Sequence, residues 1–197
     1  MDKQTENVFS VEEAKTYLYS ELAKVTEWKY LKSQNCLKKT VNDLVFEMDF
    51  YSSKWNVSYE NVEVNAEFRL WCKTYGKTCN VNSIVGHMSY KPEDNYWYDI
   101  STSDKLGNTL EELRNKITET ALDLCVQFEN DYMGTVNKLL DLEFEKYNIY
   151  LDFIADKSGI LAIEDKAREI YDNTSDVVKQ QIIDYKNGSK YKTWMLN

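Results

Sequence analysis

Between Leu44 and Cys72 apolar and polar residues alternate with a period of two, and beyond Asp104 the apolar spacing changes to three and four. Successive strand side chains point to opposite faces, whereas helical neighbours recur every 3.6 residues. That single change divides the chain into a sheet-forming and a helix-forming part. In the first part Leu44, Phe46, Met48 and Phe50 alternate against Val45, Glu47, Asp49 and Tyr51. Further on, Val62, Val64, Ala66, Phe68, Leu70 and Cys72 face one way, and Glu63, Asn65, Glu67, Arg69 and Trp71 the other. Two half-buried antiparallel strands follow, joined by a polar connection from Ser52 to Asn61.

Shorter strands are predicted at Trp28 to Leu31, Ile84 to Tyr90 and Tyr96 to Ile100, with a turn at Pro92 between the last two. Ahead of the sheet, Ser10 and Glu13 form a capping box for a helix from about Val11 to Val25. After Asp104, Thr109 and Glu112 read as a second capping box. Leu110, Leu113, Ile117, Ala121, Leu124, Phe128 and Tyr132 continue the helical rhythm, which Gly134 interrupts. Two more helices fit Gly159 to Tyr171 and Ser175 to Lys186, with Gly188 as the final C-cap.

Strands followed by a run of helices define an α+β fold. The expectation is a largely antiparallel sheet of four to five strands, with an N-terminal helix and a C-terminal run of helices packed against it. No Pro- or Gly-rich linker interrupts the chain, so residues 1–197 read as one domain, with a sheet part at about 28–100 and a helical part, or subdomain, at about 104–188.

Charge narrows the partners. The net charge is -9, spread along the chain, with 12 Lys+Arg against 18 Asp+Glu from Asp104 onward and 12 against 15 before it. Arg69, Arg114 and Arg168 are the only arginines, whereas phosphate recognition relies on clustered Arg and Lys. Direct nucleic-acid binding is therefore not expected, and a basic protein is the better-matched partner. No apolar run is long enough for a membrane span, and Met-Asp-Lys-Gln-Thr-Glu-Asn lacks the apolar stretch of a secretory signal, which suggests a cytoplasmic protein. Cys36, Cys72, Cys79 and Cys125 are scattered and read as reduced. The sequons at Asn56, Asn173 and Asn187 then carry no glycan.

Catalytic constellations are thin. His87, on a predicted strand, is the only histidine, so imidazole chemistry has a single candidate. Cys72, Cys79 and His87 lack the paired two-to-four-residue spacing of zinc knuckles and a fourth ligand. No Gly-rich phosphate loop, nucleophile elbow, His-Glu-x-x-His helix or Ca-binding loop occurs. Neither a cofactor nor a metal is expected. A metal-dependent, nuclease-like hydrolase is the alternative, with Asp49 and Glu67 holding Mg²⁺ beside Arg69, although an acidic surface would repel its substrate.

The polar face of the two long strands is the candidate partner-binding surface: Glu47, Asp49, Tyr51, Glu63, Glu67, Arg69 and Trp71. Like charges on paired strands cost a few tenths of a kcal/mol to about one. Their accumulation calls for compensation by Arg69, a staggered register or a bound cationic partner. The bland reading is a solvated sheet face, yet aromatic residues ringed by charge are also how interfaces look.

The segment Phe50-Tyr51-Ser52-Ser53-Lys54-Trp55-Asn56, lying between two alternating strands, resembles bacterial domains of unknown function in which a strand ends in a Ser-Lys/Arg-x-Asn turn. In size and charge the chain also resembles the small acidic immunity proteins and host-defence inhibitors of bacteria and phages. Those resemblances imply a non-enzymatic protein that engages a basic protein as an inhibitor or immunity factor. A mimic of nucleic-acid phosphates is a further alternative, which predicts regularly spaced exposed carboxylates.

Overall fold

The computed structural model describes residues 8–79, 85–89, 97–141 and 149–173. Helix α1 (Val11–Thr26) opens on the anticipated capping box, in which Ser10 Oγ accepts from Glu13 N and Glu13 Oε2 accepts from Ser10 N at 2.8 Å. It ends at Glu27, in the left-handed region at φ 58°, whose N–H bonds Ala23 O. Ala14, Leu18, Tyr19 and Leu22 form its buried stripe.

The strands are β1 (Lys29–Leu31), β2 (Cys36–Val41), β3 (Leu44–Ser52), β4 (Glu63–Cys72), β5 (Val85–Ser89) and β6 (Tyr98–Asp99), with a short helix α2 (Lys73–Cys79) after β4. They form one sheet in the order β1-β2-β3-β4-β5, and β6 also pairs with β4. Lys29 stands opposite Lys38, and Glu63 opposite Asp99, both in antiparallel register. The α+β architecture expected from the periodicity is the one observed.

Strand β4 alternates half-covered and buried residues without a break, as its sequence demands. Strand β3 departs from strict alternation at its start, where Val45 is as fully buried as Leu44 and Phe46. Strand β2 had no strand signal in the sequence, because Lys38, Lys39 and Thr40 dilute the pattern of Cys36, Leu37 and Val41. A two-residue turn, Asn42-Asp43, joins it to β3, with Asn42 at φ 55°.

Helix α3 (Ser103–Ile117) starts well before the predicted box at Thr109 and Glu112. Thr102 is the N-cap, and Leu106 is already buried in the first turn. Gly107 and Asn108 are weak helix formers, but burial of Leu106 and Leu110 on one face outweighs their propensity. Thr109 instead directs its hydroxyl to Asp99 O, and Glu112 pairs with Lys116 at 2.8 Å. A π-helical turn (Thr118–Leu122) leads into α4 (Asp123–Asn130). Thr118 and Thr120 donate back to the carbonyls of Arg114 and Lys116, the kind of side-chain competition that loosens a helical ladder.

Helix α5 (Tyr132–Lys138) restarts at the Asp131 cap, so the break precedes Gly134. Helix α6 (Ile149–Ser158) ends at Gly159, whose φ of 90° leads into a 3-10 turn (Ile160–Ile163) and α7 (Glu164–Asp172). The continuous helix predicted from Gly159 is therefore split, and Ile160 is exposed while Ile163 and Ala167 are buried. The turn predicted at Pro92, the helix predicted over Ser175 to Lys186 and its Gly188 cap lie outside the described residues. His87 lies on β5 as expected, but its side chain is outside the described set.

Internal contacts divide the chain into two compact units. The first comprises Met1–Thr40, Val45–Arg69 and His87–Cys125; the second comprises Val41–Leu44, Leu70–Gly86 and Val126–Asn197. In the first, Trp28, Phe46 and Phe68 form a triangle of rings with centroids 6.0 to 6.2 Å apart, and Tyr19 stacks on Tyr30 at 4.8 Å. In the second, Tyr75 meets Phe153 edge-on at 5.9 Å, and Phe128 meets Tyr132 at 5.5 Å. Among the described residues no helix is long and apolar enough to cross a membrane.

Candidate functional site

Three adjacent strands bring the predicted polar face together. Arg69 Nη2 lies 2.7 Å from Glu47 Oε1 and also bonds Asp49 Oδ2, while Lys38 Nζ from β2 lies 2.7 Å from Glu47 Oε2. The Glu47 and Asp49 side chains are each only 13% exposed, so these pairs form in a setting where water screens them weakly. Arg69 supplies the compensation that clustered like charges require, and Lys38 adds a second cation. Discharged in this way, Glu47 and Asp49 are not a free acidic patch.

The other predicted members are dispersed around this knot. Tyr51 bonds Glu67; burial, followed by that bond and the charge of Glu67, pushes its phenol up to about 12. Glu63 serves through its backbone, which Asn56 clasps at both groups. Trp71 is half-buried and belongs to the second unit.

Cys36 Sγ, Glu47 and Asp49 place one potential ligand atom each within 4.8 Å of one another. Burial, and after it the Glu47 charge, raise the Cys36 thiol above its ordinary value. A divalent ion would have to remove that thiol proton and displace both Lys38 and Arg69. This donor set fits a structural ion-pair knot better than a metal centre. The hydrolase alternative, which needs Asp49 free for Mg²⁺, loses its principal ligand to Arg69.

A second polar cluster, absent from the sequence reading, forms in the second unit. Asp43, on the β2–β3 turn, accepts from Tyr132 Oη at 2.5 Å, Lys157 Nζ at 2.8 Å and Cys72 Sγ at 3.1 Å. Burial alone would raise the Asp43 carboxyl, but these bonds and the Lys157 charge bring it down to about 2. Burial, then the contact with Asp43, raises both Tyr132 and Cys72. For Lys157, burial is overcome by Asp43, and the net direction is upward. Every shift favours the resting form: ionised Asp, ammonium, phenol and thiol. The cluster is a clasp, with no poised base or nucleophile.

Outside these clusters, the most exposed apolar side chains among the described residues of the first unit gather on the β3–β4 connection. Trp55 is 72% exposed, Tyr59 55% and Val57 50%, with Tyr51 exposed at the foot of the loop. The backbone around them is firmly held. Asn56 bonds both the N–H and the C=O of Glu63 at 2.9 Å, Ser53 N bonds Glu63 O, and Val57 and Asn61 exchange both backbone bonds. Tyr59 N bonds Phe9 O at 2.9 Å, and the Tyr59 side chain reaches Glu13 at the start of α1. Lys15 of α1 bonds Ser52, and Lys54 Nζ covers a face of the Trp55 ring at 4.9 Å.

Tyr59 carries φ 68°, a left-handed conformation that costs a bulky side chain of order 1–3 kcal/mol. Asn56 spends its amide on Glu63, so the sequon there could take a glycan only by opening the loop. In the sequence Trp55 falls within the polar connection from Ser52 to Asn61. Its rigid presentation depends on Asn56, Ser53 and Phe9, which carry no local signal of that role.

No protein-family model, curated protein or solved structure matches this chain.

Proposed function

We propose that this chain is a non-enzymatic protein-binding protein that engages a basic partner, in the manner of an inhibitor or immunity factor. One observation carries the reading: a braced loop holds Trp55, Val57 and Tyr59 in water instead of in the core. Soluble proteins bury most of their large aromatic area, and a preordered aromatic surface loses little entropy on binding. Trp and Tyr are also the residues that dominate interface energetics. The clasped state of both polar clusters supports a binding role over a catalytic one. The net charge of -9 favours a partner of opposite sign.

The test is capture of partners from a lysate of the producing cells on the immobilised full chain, followed by a salt titration. A stoichiometric basic protein released as salt rises supports the proposal, because screening weakens attraction between exposed charges. Stoichiometric capture of an acidic protein, or turnover of a small substrate by the chain alone, would overturn it.

A further inference from the structure

We propose that the loop from Ser52 to Asn61 works as a plug, with Trp55 inserted into a concave apolar pocket of the partner protein whose rim carries Lys or Arg. This rests on the protein-binding reading above and specifies what that partner presents. Trp55, Val57 and Tyr59 are each at least half exposed on one ten-residue connection, so their side chains project into solvent. Its internal backbone bonds, the Asn56 clasp on Glu63 and the tie from Tyr59 N to Phe9 O hold the backbone that carries these side chains. A flat surface would leave much of the Trp55 ring in water, whereas a pocket surrounds it. Pockets that accept such a side chain have apolar floors and few, well-placed polar groups.

Charge sets the rim. Glu12 and Glu13 stand in the first turn of α1, where Glu13 touches Tyr59, and Glu60 follows Tyr59 on the loop itself. Glu12 and Glu60 are exposed, and among the described residues neither has an ion-pair partner, in contrast to the Glu47 and Asp49 pairs. A docked apolar or acidic rim would desolvate these carboxylates without compensation, whereas Lys or Arg would pair with them. Lys54 lies over one face of the Trp55 ring, which leaves the opposite face for the pocket wall.

The test replaces Trp55, and in a second chain Val57, with a benzophenone-bearing residue, irradiates each full-length protein in lysate of the producing cells and maps the adducts by mass spectrometry. The expected adduct lies inside a pocket of a different protein with Lys or Arg at its mouth. Affinity for that protein should fall at least tenfold on Trp55→Ala and severalfold on combining Glu12→Gln with Glu60→Gln. Adducts on a flat or acidic surface, or on a second copy of this chain, would overturn the plug. So would an absence of adducts from both positions while the unmodified chain still captures its partner, and in that case the protein-binding reading survives. Failure of the unmodified chain to capture any protein would defeat both.

Discussion

Lys157 Nζ donates to Asp43 Oδ2 at 2.8 Å, with both side chains less than a quarter exposed. The bond ties helix α6 to the turn between β2 and β3, and Tyr132 and Cys72 complete the acceptor set on the same carboxylate. Asp43→Ala removes the common acceptor of three donors and is expected to cost about 2–3 kcal/mol at neutral pH, at roughly 1 kcal/mol for each bond. Urea denaturation of the variant and its parent measures the difference. A loss below half a kcal/mol would mean that water replaces Asp43 without penalty.

The same carboxylate sets an acid limit. In the folded chain Asp43 titrates at about 2, below its ordinary 3.8, so its contribution is complete above about pH 5 and lost as pH falls through 4 towards 2. The difference corresponds to of order 2 kcal/mol. Asp43→Asn should flatten the stability profile across that window while leaving its slope above pH 5 unchanged. Lys157 is shifted upward, so its contribution is present below its ordinary 10.5 and is lost only as pH rises beyond it. A pH series of denaturant midpoints that kept the parental acid slope in Asp43→Asn would assign that slope to other carboxylates.

Arg69 presents the opposite case, a cation shared by two acids. Arg69→Met leaves Glu47 and Asp49 facing each other without their shared cation, and the expected loss is about 3 kcal/mol. Adding Asp49→Asn should recover part of it, because the deleted repulsion belongs to the pair and not to either residue. A double-mutant cycle with no coupling between positions 49 and 69 would refute the shared-cation account.

What could be read from sequence follows the range of each interaction. The Ser10–Glu13 box is satisfied within one turn, and the β4 alternation by a single strand, so both are local and both were legible. The Asp43 clasp draws on positions 43, 72, 132 and 157, which no window of sequence brings together. The charge balance around Glu47 was not legible, since Lys38 comes from β2, the strand whose pattern the adjacent lysines hide. The early start of α3 went unseen because Gly107 and Asn108 signal a turn locally, while burial of Leu106 is decided by packing.

Tyr19 is a second long-range element. Its hydroxyl accepts from Phe50 N at 2.9 Å and donates to Asn35 O, so one phenol serves β3 and the turn before β2 from the middle of α1. Tyr19→Phe keeps the ring against Tyr30 and Phe50 but strands a buried strand amide, and should cost about 1–3 kcal/mol. Hydrogen exchange offers the sharper readout. The Phe50 amide should lose protection in the variant while the Phe46 and Phe68 amides keep theirs. Uniform loss across the sheet would indicate a packing defect in place of a missing bond.

Tyr59 separates stability from binding. Its φ of 68° is strained for a bulky side chain, and the backbone bond to Phe9 O survives a change of side chain. Tyr59→Gly should therefore raise stability by about 1 kcal/mol through relief of the left-handed penalty. If the loop were a solvated hairpin, only the exposed Tyr59–Glu13 contact would be lost in exchange. If it is a binding element, the same variant removes an aromatic contact and the brace on Glu13, and partner affinity should fall about tenfold even as thermal stability rises. Calorimetry and titration with the captured partner measure the two effects on one protein. Opposite signs identify Tyr59 as a residue kept for contact at the expense of stability, whereas a stabilised variant that binds unchanged would remove it from the interface and leave the strain without a functional reason.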